Sequence, residues 1–261
     1  MSKICNYMNN SINKYIRPYT FPVAVKLLAK GEALPQKMRV PTENLGHPVA
    51  FCQAVSMARR FGWPVALYQK DQACGLAQIA LGYKEEPDFM KDGSMVYPLY
   101  VENMEAGKKT QESTPKMPTA HTYCIIVAPL HLAEFDPDVI IVYGNAAQIT
   151  RLVQGALYKE GGYIESRFAG RIACGGQVVV PIVEDRCNVI IPGGGERVFA
   201  VTTDDELAFS MPKSKFEDLA EGLEKTHKGG VARIPTPFAA INAKPQFPEA
   251  YWELEKYCDL R

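Results

Sequence analysis

Short apolar runs bounded by proline, glycine and polar residues recur along the chain and predict the strands of a sheet. The runs are rich in Val and Ile, whose branched side chains favour extended backbone. Residues 123–128 form an unbroken apolar run, which predicts a buried strand. The predicted strands cover residues 22–28, 64–68, 123–128, 136–144 and 188–191.

Apolar residues spaced three and four apart predict helices between these runs. Gly62 and Gly82 are expected to end two of them, and Asn145 to cap the start of a third. Residues 170–184 fit either a strand, because of three consecutive valines, or a helix, because of a loose match to the first half. The predicted helices cover residues 2–17, 48–61, 74–81, 145–159, 213–225 and 251–257.

The order of these elements predicts an α/β or α+β fold, with a mixed sheet and flanking helices. Similar stretches recur in both parts of the chain, so we expect two related halves produced by duplication. The first half would be residues 1–120 and the second 121–261, although one compact domain could contain both. Residues 103–119 are polar and predict an exposed connector between the halves.

Composition and charge exclude several classes of protein. Apolar residues make up 47% of the 261 residues, enough for a sizeable core, and 22% are charged. Lys and Arg number 29, as do Asp and Glu, so the chain lacks the basic excess of a nucleic-acid-binding protein. No apolar run reaches the roughly 20 residues that cross a membrane. We therefore expect a cytoplasmic protein without a nucleic-acid or membrane partner.

Three of the seven cysteines are the strongest candidates for chemistry. Cys52 and Cys174 each begin an apolar stretch that leads to a predicted strand, and Cys74 begins a short helix. Duplication would bring Cys52 and Cys174 to one shared site with Cys74 nearby. No Cys-x-x-Cys pair occurs, so a metal site would need ligands from distant segments. Thiolates suit iron–sulfur clusters and other soft metals. A reactive thiol, or simple packing as small apolar side chains, remains open.

Glycines near these cysteines are candidates for binding a cofactor. Gly175 follows Cys174, while Gly193, Gly194 and Gly195 form a turn after the last predicted strand of this region. Without side chains, they would let a cofactor approach the backbone. We expect the turn to face the thiols, with no helix clearly following it, although the pattern by itself is more typical of a tight turn between strands. His47, His121 and His131 could also bind a metal or move a proton.

Several short motifs follow one another in a fixed order over about residues 21–225. These include Phe51-Cys52-Gln53, Cys74-Gly75-Leu76-Ala77, Pro137-Asp138-Val139-Ile140, Cys174, Gly193 to Arg197, Asp204-Asp205-Glu206 and Met211-Pro212. On these motifs the chain resembles the DUF169 family of prokaryotic proteins, whose function is unknown. The resemblance implies that Cys52, Cys74 and Cys174 fall on recurrent cysteine positions. It also implies a further cysteine in the glycine-rich turn, where this chain has none. A fourth ligand would then be Cys124, Cys187, a histidine or an external group.

The sequence thus favours a metal- or cofactor-binding protein in which Cys52, Cys74 and Cys174 hold an iron–sulfur cluster or another metal. The alternatives are a cysteine-dependent enzyme of unknown substrate, with Cys52 as the reactive thiol, and a metal-free scaffold or small-molecule-binding module. A redox or small-molecule partner is expected without being identified, and self-association is left open.

Overall fold

A computed structural model describes residues 2–230 and 248–260, and its central feature is one six-stranded sheet. All five strand pairs are antiparallel, where the sequence predicted a mixed sheet. Helices lie on both faces, as predicted. The strands are β1 (Val23–Leu28), β2 (Val65–Tyr68), β3 (Cys124–Pro129), β4 (Val139–Gly144), β5 (Asn188–Ile190) and β6 (Leu207–Pro212).

The strand order is symmetric about the centre of the sheet. It runs β2-β3-β1-β4-β6-β5, so each group of three has its first strand at the centre and its second at the edge. This order is what a duplication would produce, and the duplication itself stays a prediction. Strand β1 lies between β3 and β4, so residues from both predicted halves form one continuous sheet.

Eleven α-helices, one π-helix and four short 3-10 helices accompany this sheet in the described residues. The α-helices are α1 (Lys3–Tyr15), α2 (Pro41–Asn44), α3 (Phe51–Phe61), α4 (Gly75–Ala80), α5 (Asp88–Lys91), α6 (Met104–Glu112), α7 (Ala146–Ala156), α8 (Val180–Glu184), α9 (Gly194–Ala200), α10 (Phe216–Lys228) and α11 (Trp252–Tyr257). A π-helix, Gly175–Val179, continues directly into α8. No described helix has the length and apolar character needed to span a membrane.

The sheet separates two apolar cores because neighbouring residues of a strand point to opposite faces. Ala24 and Ile140 contribute to the first core, where α1, α7 and α10 pack. Val25 and Ile141 contribute to the second core, which includes residues of α3, α4 and the π-helix. The helices that carry the three predicted site cysteines all lie on the sheet face that contributes to this second core.

Local signals in the sequence account for several helix ends. Asn145 and Gln148 form a reciprocal capping box at the start of α7, each side chain accepting a backbone N–H at 3.0 Å. Gly62 ends α3 with φ 73°, a left-handed conformation that glycine adopts without strain. Both predicted helix boundaries are confirmed.

Residues 103–119, predicted to be an exposed connector, contain a helix and are not exposed throughout. Nine of these residues form α6, capped by the Asn103 side chain, which accepts the N–H of Ala106 at 2.9 Å. Gln111 and Met117 are buried. The segment packs without an apolar face because Gly107 lies directly against Gly93 on the neighbouring turn.

On the side of the second core, one open alternative is decided and one prediction is wrong. Of the strand and helix considered for residues 170–184, the helix is present, because the three valines lie in the π-helix and at the start of α8. A helix does follow the glycine-rich turn: Gly193 is the N-cap of α9, and Gly194 and Gly195 are its first residues. Glycine disfavours helix by intrinsic propensity, but here the Glu196 side chain satisfies the N–H of Gly193 at 2.9 Å.

Candidate functional site

The three predicted site cysteines lie at the beginnings of three helices above the same face of the sheet. Cys52 is in the first turn of α3, Cys74 is the N-cap of α4, and Cys174 is the N-cap of the π-helix. Each thiol is free and half-buried. Cys74 and Cys174 pack against the second core. Three segments distant in sequence therefore present a thiol from the same layer of the fold.

Electrostatic coupling connects the three thiols. Burial raises the pKa of Cys52 to about 12, with further contributions from the negative charges of Glu196 and Cys74. Burial also raises the pKa of Cys174, and Cys74, Glu196 and Cys52 raise it further. These directions are opposite to the lowered pKa that activates a nucleophilic thiol.

Gln72 ties the start of α3 to the start of α4. Its side-chain oxygen accepts the N–H of Phe51 and the N–H of Cys74, each at 3.1 Å. The side chain is 3% exposed, and its Nε2 has no hydrogen-bond partner among the described residues. This one buried amide fixes the relative position of the backbone segments that carry Cys52 and Cys74.

Glu196 is a buried carboxylate that the sequence analysis missed. Tyr143 Oη and Gln177 Nε2 donate to its Oε1 at 2.7 and 2.8 Å, and the N–H of Gly193 donates to its Oε2. All three donors are neutral, and no ion pair of Glu196 is present within the described chain. A glutamate three residues after an N-cap position is the signal that could have found it.

Arg59 contacts the Glu196 carboxylate indirectly, through the ring of Tyr143. Its guanidinium carbon lies 4.0 Å from the centre of the Tyr143 ring, whose hydroxyl bonds Glu196. Arg59 is itself 1% exposed and forms an ion pair with Glu206 at 2.5 Å. A buried chain of contacts therefore runs from α3 through β4 to Glu196.

The predicted cofactor-binding glycines have different surroundings. A Cβ on Gly175 would lie 3.0 Å from the carbonyl oxygen of Pro115, so this glycine permits the chain after α6 to approach closely. A Cβ on Gly193 would meet ordinary contacts, the nearest with Gly170 at 3.6 Å. Gly194 has open space around it, and Gly195 faces the Phe199 ring. Whether any of them binds a cofactor stays a prediction.

Two of the suggested protein-derived fourth ligands, both cysteines, lie on the other side of the sheet from the three thiols. Cys124 and Cys187 belong to the first core, on the opposite side of the sheet. His47 and His121 are exposed, and the His131 ring stacks on Phe21 with 4.4 Å between ring centres. Within residues 2–230 and 248–260, no group of three or more His, Cys, Asp or Glu side chains is arranged to hold a metal ion.

Comparison with known proteins gives relatives without an assigned activity. The model of a family described as "DUF169: Uncharacterised ArCR" matches residues 11–222. An uncharacterized protein of Methanocaldococcus jannaschii is 28% identical over 205 residues, which cover 77% of this chain and 86% of that protein. No solved structure matches the chain.

Proposed function

Because the chain belongs to the DUF169 family, which carries no assigned activity, its function must be argued from its own residues, and we propose that it binds an iron–sulfur cluster through Cys52, Cys74 and Cys174. The observation that carries the proposal is the placement of these three cysteines at the beginnings of three helices above one face of the sheet, where the charge of Cys74 contributes to the raised pKa of both Cys52 and Cys174. Thiolates are the usual protein ligands of such clusters.

The charges around the thiols support a cationic centre between them. Three thiolates and the Glu196 carboxylate would together carry a large negative charge in a half-buried place. Buried charges in proteins are normally paired or coordinate metals, yet the hydrogen bonds of Glu196 come from neutral groups. Iron ions would offset this negative charge and would also keep Cys52 and Cys174 deprotonated despite the raised pKa of each.

A cluster can also bridge thiols that are too far apart to share one metal ion. One metal ion needs sulfurs about 2.3 Å from a common centre, and the described side chains are not arranged in that way. In a cluster, several iron and sulfide atoms separate the cysteine ligands, so coupled thiols that are further apart can all bind. Three cysteines leave one iron of a four-iron cluster without a protein thiolate.

Anaerobic purification of the full-length chain tests the proposal. We expect broad absorbance near roughly 400 nm, together with iron and acid-labile sulfide, as thiolate-bound clusters give. Cys52→Ser, Cys74→Ser and Cys174→Ser should each lower the iron and sulfide content per folded protein.

Two matched variants serve as controls. Cys258→Ser changes an exposed cysteine, and Cys124→Ala changes a cysteine of the opposite core. Both should retain the iron and sulfide content of the unaltered protein, with circular dichroism confirming the fold. A colourless, iron-free protein after anaerobic reconstitution with iron and sulfide would refute the proposal.

A further inference from the structure

A cleft of about 350 Å³ lies beside the thiol site. Ala173 and Gly176, on either side of Cys174, line the cleft, as do residues 112–115 at the end of α6. This volume is at the small end of the range for pockets that bind small molecules. The cleft therefore suits a compact metabolite.

Arg171 gives the cleft a positive charge that no described carboxylate neutralises. Its Nη1 donates to the amide oxygen of Gln111 at 2.6 Å, and its guanidinium carbon lies 5.5 Å from the centre of the Tyr100 ring. Its Nε is buried and has no hydrogen-bond partner among the described residues. Burial lowers the pKa of Arg171, as expected for a charge partly removed from water.

The other two arginines of the cleft are already paired. Arg186 Nε lies 2.7 Å from Glu184 Oε2, and Arg167 Nε lies 3.7 Å from Glu165 Oε1. Arg167 is also largely exposed, with 77% of its side chain accessible. Arg171 is thus the arginine in the cleft with a partly desolvated charge and a donor left to satisfy.

Asn188 adds an unsatisfied acceptor on the same cleft. The side chain is 3% exposed, and its Nδ2 donates to the carbonyl oxygen of Gly176 at 2.9 Å. This bond orients the amide and leaves Oδ1 without a donor in the described structure. A buried acceptor left unbonded is costly, so a ligand hydroxyl is a suitable partner.

We propose that this cleft binds a small hydroxylated anion, a carboxylate or a phosphate ester, with Arg171 binding the anionic group and Asn188 accepting a hydrogen bond from the hydroxyl. The proposal that the anion binds depends only on the contacts of Arg171 and Asn188. A role for the bound anion as a substrate next to the cluster also depends on the proposed function. The position of the cleft suits that role, because Ala173 and Gly176, on either side of Cys174, line it.

Isothermal titration calorimetry with the full-length chain tests this site. The probes are inorganic phosphate, succinate and malate, which is succinate with one added hydroxyl. We expect malate to bind more tightly than succinate in the unaltered protein. Arg171→Gln should weaken malate binding about tenfold or more, because a charge-assisted hydrogen bond to the anion is lost. Asn188→Ala should remove the preference for malate over succinate.

Arg167→Gln is the matched control, since it removes an equal charge from the same cleft at an exposed, paired position. It should change affinity by less than about threefold, as exposed charges contribute little. The proposed site would be refuted if Arg167→Gln and Arg171→Gln weakened malate binding equally. It would also be refuted if no probe bound at millimolar concentration. Equal affinity for malate and succinate would overturn the role of Asn188.

If Arg171→Gln fails to fold by circular dichroism, Arg171→Lys replaces it. Lysine keeps the charge but loses the planar donor geometry, so weaker malate binding is again expected and unchanged binding would overturn the proposal. Iron and sulfide content is measured on the same preparations. Failure of anion binding is therefore distinguishable from failure to bind a cluster.

Discussion

Replacing Glu206 with Gln tests whether the buried ion pair behind the site holds the fold together. Both Glu206 oxygens accept from Arg59, Oε1 from Nη1 at 2.5 Å and Oε2 from Nη2 at 3.0 Å. Burial acts to raise the pKa of Glu206, but hydrogen bonds from Arg59 and from the Thr203 N–H, together with the arginine charges, lower it overall. Glu206→Gln keeps the side-chain shape and removes the charge.

The expected cost follows from leaving Arg59 buried without its counter-charge. Arg59 is 1% exposed and Glu206 is 12% exposed. Breaking a buried pair by removing one partner costs about 3–5 kcal/mol. Gln still offers one acceptor oxygen, so we expect a loss near the lower limit, about 3 kcal/mol. In a chain of this size, that lowers the melting temperature by roughly 6–12 °C.

Urea unfolding at several pH values measures this loss, and the lowered pKa of Glu206 fixes how the loss should change with pH. A carboxyl whose pKa is lowered by folding stabilises the protein above its unfolded pKa of about 4.3, and the stabilisation is lost as pH falls through the folded pKa. The difference in free energy of unfolding between the unaltered protein and Glu206→Gln should therefore be largest at neutral pH and should shrink under acidic conditions.

An exposed pair provides the control for this prediction. Glu224→Gln also removes a carboxylate, but from a pair with Lys228 whose side chains are 42% and 69% exposed. That change should cost less than about 1 kcal/mol. The reasoning would be refuted if Glu206→Gln lost no more free energy of unfolding than Glu224→Gln. It would also be refuted if the loss in Glu206→Gln stayed constant as the pH is lowered.

Three shorter predictions concern the site and its neighbours. Glu196→Gln should speed alkylation of Cys52 by iodoacetamide in metal-free protein, because the carboxylate charge contributes to the raised pKa of that thiol; an unchanged rate would argue against the coupling. Gly82→Ala should cost about 2–4 kcal/mol in urea unfolding, since its Cβ would combine left-handed strain with a contact 2.7 Å from a backbone oxygen. Gly62→Ala has similar strain without the close contact and should cost only about 1 kcal/mol. Gly194→Val should lower iron content per folded protein by crowding the open space beside the turn. An unchanged iron content would show that the turn only begins α9 and takes no part in binding the cluster.

Sequence patterns predicted the elements that are stabilised locally or by continuous apolar runs. Strands β3 and β4 are buried at every position, so their composition alone identified them. The start of α7 was predictable because Asn145 caps it with its own side chain. That Cys52 and Cys174 share one site, expected from their matched positions in the chain, stays a prediction.

Elements stabilised by distant contacts escaped prediction. Helix α6 lacks an apolar face, and it packs through the contact of Gly107 with Gly93. Helix α9 starts with glycines and depends on Glu196, whose carboxylate is bonded by Tyr143 and Gln177 from other elements. Periodicity detects apolar faces, and neither of these helices is defined by one.

The symmetric strand order suggests what occupies the fourth side of the thiol site. Helix α4 follows β2 with Cys74 as its N-cap, and α9 follows β5 with Gly193 as its N-cap. In the first half a thiol stands at this position, and in the second half the corresponding side chain is absent. Gly193 has φ −78°, which any residue adopts.

Gly193→Cys should therefore supply a fourth thiolate to the proposed cluster. The new Cβ would make ordinary contacts, the nearest being 3.6 Å from Gly170 O, so the fold should tolerate it. A fully thiolate-bound cluster leaves no iron open to solvent, and we expect the visible absorbance to decay more slowly in air than in the unaltered protein. Gly195→Cys is the control, because its Cβ would point at the Phe199 ring, 3.7 Å away, and should leave the decay rate unchanged. Equal decay rates in all three folded, iron-loaded proteins would show that position 193 does not reach the cluster, and the symmetric account of the site would then fail.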